Sequence, residues 1–164
     1  MQIQNIILYK DAEHNRVLTF ETGKVNIITG ESKSGKTAII NIVDYCLGSK
    51  DCKIADGVIR DNVQWFAITV VFNNDEQYVI ARLNPNVRNA NTITEIYIEN
   101  VDKGVIPEFK SLHANSNIIA LKDFLSKKIG IAENLQVAEN NTRDSLEVNF
   151  KHARLFCFQP QTLI

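Results

Sequence analysis

The sequence predicts an α/β fold: a mixed β-sheet around one central helix, with an antiparallel β-rich insert. Three observations predict it. A short apolar run, Lys24 to Thr29 (KVNIIT), stops at Gly30 as a buried strand would, and a helical pattern begins at Lys36. Two apolar runs, Gln64 to Phe72 and Gln77 to Leu83, flank Asn73-Asn74-Asp75-Glu76, a hairpin signal. The composition, 45% hydrophobic over 164 residues, suits one globular domain with a real core.

Along the chain, Gln2 to Tyr9 alternates and reads as a strand, Lys10 to Asn15 as a turn, and Arg16 to Phe20 as a second strand. After Lys36, Ala38, Ile39, Ile42, Val43, Cys46 and Leu47 recur at helical spacing, with Gly48 as the C-terminal cap. Ser49 to Asn62 is polar and predicts a loop. The β-rich insert covers about 63–100, its last strand being Thr92 to Glu99. Lys103 to Asn117 predicts an exposed loop, and Ile118 to Ile129 an amphipathic helix ended by Gly130. From about 145 to 164 a helical stretch turns into an apolar, strand-like LFCFQ.

With 18 basic and 19 acidic side chains the formal charge is −1, so any DNA-binding face has to be a local patch. No apolar run approaches the roughly 20 residues needed to span a bilayer, and no basic leader precedes a cleavage site, so no membrane partner is expected. Cys46, Cys52 and Cys157 lack metal-ligand spacing and read as reduced thiols, which places the protein in the cytoplasm.

The residues Gly30, Glu31, Ser32, Lys33, Ser34, Gly35, Lys36 and Thr37 fit G-x-x-x-x-G-K-[ST], followed by Ala38 on the helix. Strand, glycine-rich turn and helix are the context in which this pattern cradles phosphate. Backbone N–H groups from about Lys33 to Thr37 surround the phosphates, and the helix adds its positive dipole end. Lys36 reaches the β- and γ-phosphates, and Thr37 places its hydroxyl on Mg²⁺. ATP with Mg²⁺ is therefore the expected ligand.

These residues resemble the N-terminal half, lobe I, of ABC-type ATPase heads of the SMC, RecF and RecN kind. Those heads also open with a strand pair and run a strand and P-loop into a helix. A second anchor is "LFCFQPQTLI", Leu155 to Ile164, which looks like a Q-loop. The resemblance implies that Gln159, or alternatively Gln161, ligates Mg²⁺ and orients the attacking water. The long, β-rich interval between Thr37 and Gln159 looks like the SMC and RecF branch rather than a transporter. There the loop after the P-loop helix often carries an arginine that reaches the nucleotide. Arg60, in "GVIRDNVQW", corresponds to it; the other reading is an exposed arginine paired with Asp56 or Asp61. Residues near the first strands, Lys10 and Arg16, are candidates for holding adenine. "NIITGESKSGKTAIINIVDYCLGS", "GVIRDNVQWF" and "FCFQPQTLI" together look most like a bacterial SMC-like ATPase family of multi-component, defence-type operons.

An ABC ATPase also needs an LSGGQ-like signature and a Walker B strand ending in Asp-Glu. Neither occurs in these residues; "FNNDE", Phe72 to Glu76, comes nearest and reads as a hairpin turn. His14, His113 and His152 have no partners at catalytic spacing. The expectation is an ATPase fragment that binds nucleotide but turns it over negligibly alone. Its partner would be the C-terminal half carrying Walker B and signature, or a second head subunit, with DNA as a further possibility. Without that partner the Lys24–Thr29 strand would show an open edge and drive homo-oligomers. The alternative is a non-hydrolysing regulatory or assembly subunit. A small independent kinase is disfavoured, since no arginine-rich lid is visible.

Overall fold

The computed structural model describes residues 1–31, 35–73, 75–87, 94–131, 135–136, 146–150 and 152–153. Strand β1 (Gln2–Tyr9) pairs antiparallel with β2 (Asn15–Thr19) on one side and with β3 (Trp65–Val71) on the other. β3 then pairs with β4 (Gln77–Leu83), and β4 with β5 (Ile96–Val101), giving the order β2-β1-β3-β4-β5. The sheet is antiparallel throughout, so the mixed sheet expected from sequence is absent among the described residues, and the "insert" strands are continuous with the N-terminal pair. Buried Asn5 stitches the first three strands: its amide donates to Thr69 Oγ1 at 2.8 Å, while Thr19 Oγ1 donates to its carbonyl at 2.9 Å.

Alternation of apolar side chains gives the sheet two buried faces. Ile6, Phe66, Ile68 and Ile80 face helices α1 (Lys36–Cys46) and α3 (Ile118–Lys128). Ile42, Val43 and Cys46 of α1 and Leu121 and Leu125 of α3 complete that layer. Each buried aliphatic side chain there contributes about 1.5–3 kcal/mol. Ile7, Tyr9, Trp65, Ala67, Val79 and Tyr97 form the other face. It is covered by the 102–117 segment, with a 3-10 turn at Phe109–Ser111, Leu112 buried, and the Tyr9 hydroxyl donating to Pro107 O at 2.8 Å. That segment is polar enough to predict an exposed loop, yet the bare sheet face beneath it recruits Ile106, Phe109 and Leu112.

The C-terminus of α1 is tied to β3 and β4. Arg82, wholly buried, donates from Nη1 to Tyr45 O at 2.5 Å and Ser49 O at 2.6 Å, with its guanidinium 3.8 Å from the Tyr45 ring centroid. Two carbonyls at a helix C-terminus and an aromatic face together compensate a cation that burial would otherwise penalise. The Tyr45 hydroxyl donates to Leu83 O at 2.8 Å and the Cys46 thiol to Phe66 O at 3.4 Å. Residues 24–30 depart from expectation: no strand forms, and Val25 and Ile27 are 90% and 82% exposed. An isolated apolar run leaves its N–H and C=O groups to water unless a neighbouring strand pairs with them, and none of the described strands lies beside it. Helix α2 (Val58–Asn62) forms inside the expected 49–62 loop; at five residues it is too short for a helical period to be read. A two-stranded ribbon, β6 (Leu135–Gln136) with β7 (Leu146–Glu147), completes the described elements.

Candidate functional site

Helix α1 begins at Lys36 because Gly35 turns the chain in the left-handed region, φ 87°, where a side chain would be strained. Ala38 N–H bonds to Gly35 O at 3.0 Å, closing the first turn. Among the described residues no side chain caps this N-terminus, and no acidic residue sits in its first turn, so its positive end has no built-in counter-charge from the helix. The Lys36 ammonium reaches back over the turn, donating to Gly30 O and Glu31 O, each at 2.6 Å. Gly30 and Lys36 are thus drawn together. Ser32, Lys33 and Ser34 lie outside the described residues, as do Gln159, Gln161 and Cys157.

Beside this helix start lies a cleft of about 510 Å³. Gly35, Lys36, Thr37, Ala38 and Asn41 form its inner wall, and residues 54–59 its outer wall. That size falls in the roughly 300–1,000 Å³ range of ligand sites. The inner wall offers a helix N-terminus, a lysine and a hydroxyl; the outer wall offers mainly apolar surface from Ile54, Ala55, Val58 and Ile59, with Asp56. A phosphate-bearing ligand with an apolar ring fits this division, and Thr37 with its exposed hydroxyl is the described residue suited to a phosphate-bound Mg²⁺. Sequence reasoning missed the outer wall. The available signal was Asp56-Gly57, a turn dipeptide before a short apolar stretch; Gly57 adopts φ 132°, open chiefly to glycine.

Arg60 is near the cleft but not in its lining. Its guanidinium donates to Cys52 O and Ile54 O, both at 3.0 Å, and to Asn86 Oδ1 at 3.1 Å. Lys10 lines a separate polar depression with Asp61, Asn62 and Gln64, and Arg16 lies on the outer edge strand opposite Leu8; neither residue lines the cleft. Among the histidines, His14 Nδ1 lies 2.8 Å from Asp11 Oδ1, a contact that lowers the Asp11 carboxyl below its ordinary value. His113 approaches Ser111 O, and His152 Nδ1 accepts from Asn149 N–H. The His113 ring also packs against Tyr97, with centroids 5.6 Å apart. No helix among the described residues is long and apolar enough to cross a membrane.

No curated protein and no solved structure matches the chain. A family model described as an AAA domain matches residues 1–163. AAA ATPase domains generally use ATP with Mg²⁺, which agrees with a lysine, a hydroxyl and a helix N-terminus at the mouth of the cleft. The chain belongs to the AAA domain family and is a nucleotide-binding, ATPase-like P-loop domain of small α/β type.

Proposed function

We propose that this chain is the N-terminal half, P-loop to Q-loop, of an SMC/RecF/RecN-like ATPase head. It binds Mg-ATP through residues 30–38 and, in the full form, couples hydrolysis to DNA-related work in repair, maintenance or defence. The single observation that carries the nucleotide part is the left-handed Gly35 delivering Lys36 and Thr37 to the mouth of a cleft beside an uncapped helix start. On binding, the Lys36 ammonium exchanges the carbonyls of Gly30 and Glu31 for more strongly charged phosphate oxygens. Thr37 and Gln159 would hold the metal.

The exposed Val25 and Ile27 support a partner that completes the sheet beside the P-loop segment, for which a C-terminal half carrying Walker B and signature is the natural candidate. Without it the Walker B carboxylate that would serve as base is not supplied, a contribution commonly worth about 10²–10⁴-fold. The decisive experiment is calorimetry of Mg-ATP with the chain and with Lys36→Ala, followed by a phosphate-release assay. Binding that vanishes in the variant, without turnover, is the expected result. Steady turnover dependent on Lys36 would sink the half-head reading, because a base would then reside in these residues.

A further inference from the structure

Arg60 is a charged residue near the cleft whose side chain bonds to the loop that forms the cleft's outer wall. Its Nη1 bridges Cys52 O and Ile54 O at the start of that wall, while its own backbone lies at the wall's end. Its Nε is held by Asn86 Oδ1 at 3.1 Å. Asn86 is itself placed by Asn84, whose side-chain carbonyl accepts from Asn86 N–H at 3.1 Å. The Asn84 amide, wholly buried, donates to Arg60 O at 2.6 Å and Val63 O at 2.7 Å. Both ends of the outer wall are therefore pinned to the exit of β4, where Arg82 and Leu83 already anchor α1, the inner wall.

We propose that Arg60, through Asn84 and Asn86, is a positioning residue that fixes the apolar outer wall for the nucleoside part of the ligand, rather than a phosphate contact. The proposal rests on the nucleotide binding put forward above. A planar guanidinium is needed, because two separate nitrogens of its rigid fork serve these acceptors, Nη1 the two carbonyls and Nε Asn86, and the one nitrogen of a lysine ammonium cannot occupy both places. The phosphates meet the inner wall, whose geometry is set by Gly35 and α1 and does not pass through Arg60. Wall and phosphate contributions are thus separable.

The test is binding of Mg-ATP and of Mg-tripolyphosphate, which lacks the nucleoside, to wild type, Arg60→Ala, Arg60→Lys and Asn86→Ala. Asn86 is exposed, so its truncation spares the core. All three variants are expected to lose about tenfold in Mg-ATP affinity, the scale of one well-placed hydrogen bond, while tripolyphosphate affinity stays at the wild-type value. A merely structural role would move both ligands together. Two results would overturn the proposal alone: Arg60→Ala weakening both ligands equally while Asn86→Ala changes neither, or all variants binding ATP as wild type does. Wild-type protein that binds neither ligand would overturn the nucleotide function, and the proposal with it.

Discussion

Cys46 is wholly buried, and burial pushes its thiol pKa well above the ordinary 9.0. Tyr9 and Tyr45 are raised from 10.0 by the same desolvation. An acid raised in the folded state leaves stability intact below its unfolded pKa. That stability is lost progressively as pH rises above it, because the unfolded chain ionises first. The urea midpoint should therefore be flat from about pH 7 to about pH 8.5 and fall from about pH 9 upward. In Cys46→Ala the early part of the fall should be shallower; a midpoint that stays level to about pH 10.5 would refute the assignment. At this scale the sequence was informative about Gly35, Lys36 and Thr37, whose place at the left-handed turn and helix start follows from local backbone geometry. It offered two readings of Arg60, a nucleotide contact or a pairing with Asp56 or Asp61, and did not find its bonds to carbonyls: whether a loop arginine faces a ligand or holds carbonyls depends on Asn84 and Asn86, more than twenty positions away.

Helix α3 illustrates an element set by local rules. Its N-cap Asn117 accepts from the N–H groups of Ile119 and Ala120, both at 3.0 Å, and Gly130 follows its end at φ 79°. Replacing Asn117 with Ala should cost about 1 kcal/mol and lower the melting temperature by about 2–4 °C. No change in the melt would mean that packing of Leu121 and Leu125 alone holds the helix. The β3–β4 hairpin was equally legible, since its apolar runs flank a polar turn in which Asp75 takes φ 60°. The next strand was less so. The first two residues of the expected strand, Thr92 and Ile93, lie outside the described residues, and β5 runs from Ile96 to Val101, past the expected end at Glu99, because it pairs along β4 as far as Gln77. The segment Lys24–Thr29 has the right composition for a strand, but a strand is a property of a pair.

For the whole molecule, the unpaired segment is the principal surface feature. Val25 and Ile27 are exposed, and Val17 and Leu18 on β2, an edge strand, expose apolar surface as well. Two apolar surfaces of this kind favour association, with a copy or with a complementing half. Sedimentation velocity should show concentration-dependent self-association of the chain, reduced in Ile27→Asp, with the urea midpoint unchanged because that side chain is already in water. A chain that stays monomeric at every concentration would count against an interface there.

By itself the sequence determined the phosphate-binding turn, the helix after it, the hairpin and α3, because turn geometry, capping and periodicity are local. Only the tertiary structure decided that the five strands form one antiparallel sheet and that residues 102–117 cover its second face. It also decided that the cleft's outer wall is 54–59, tied by Arg60 to the end of β4. Those outcomes depend on which surfaces meet across long stretches of chain, and no spacing along the sequence encodes such a meeting.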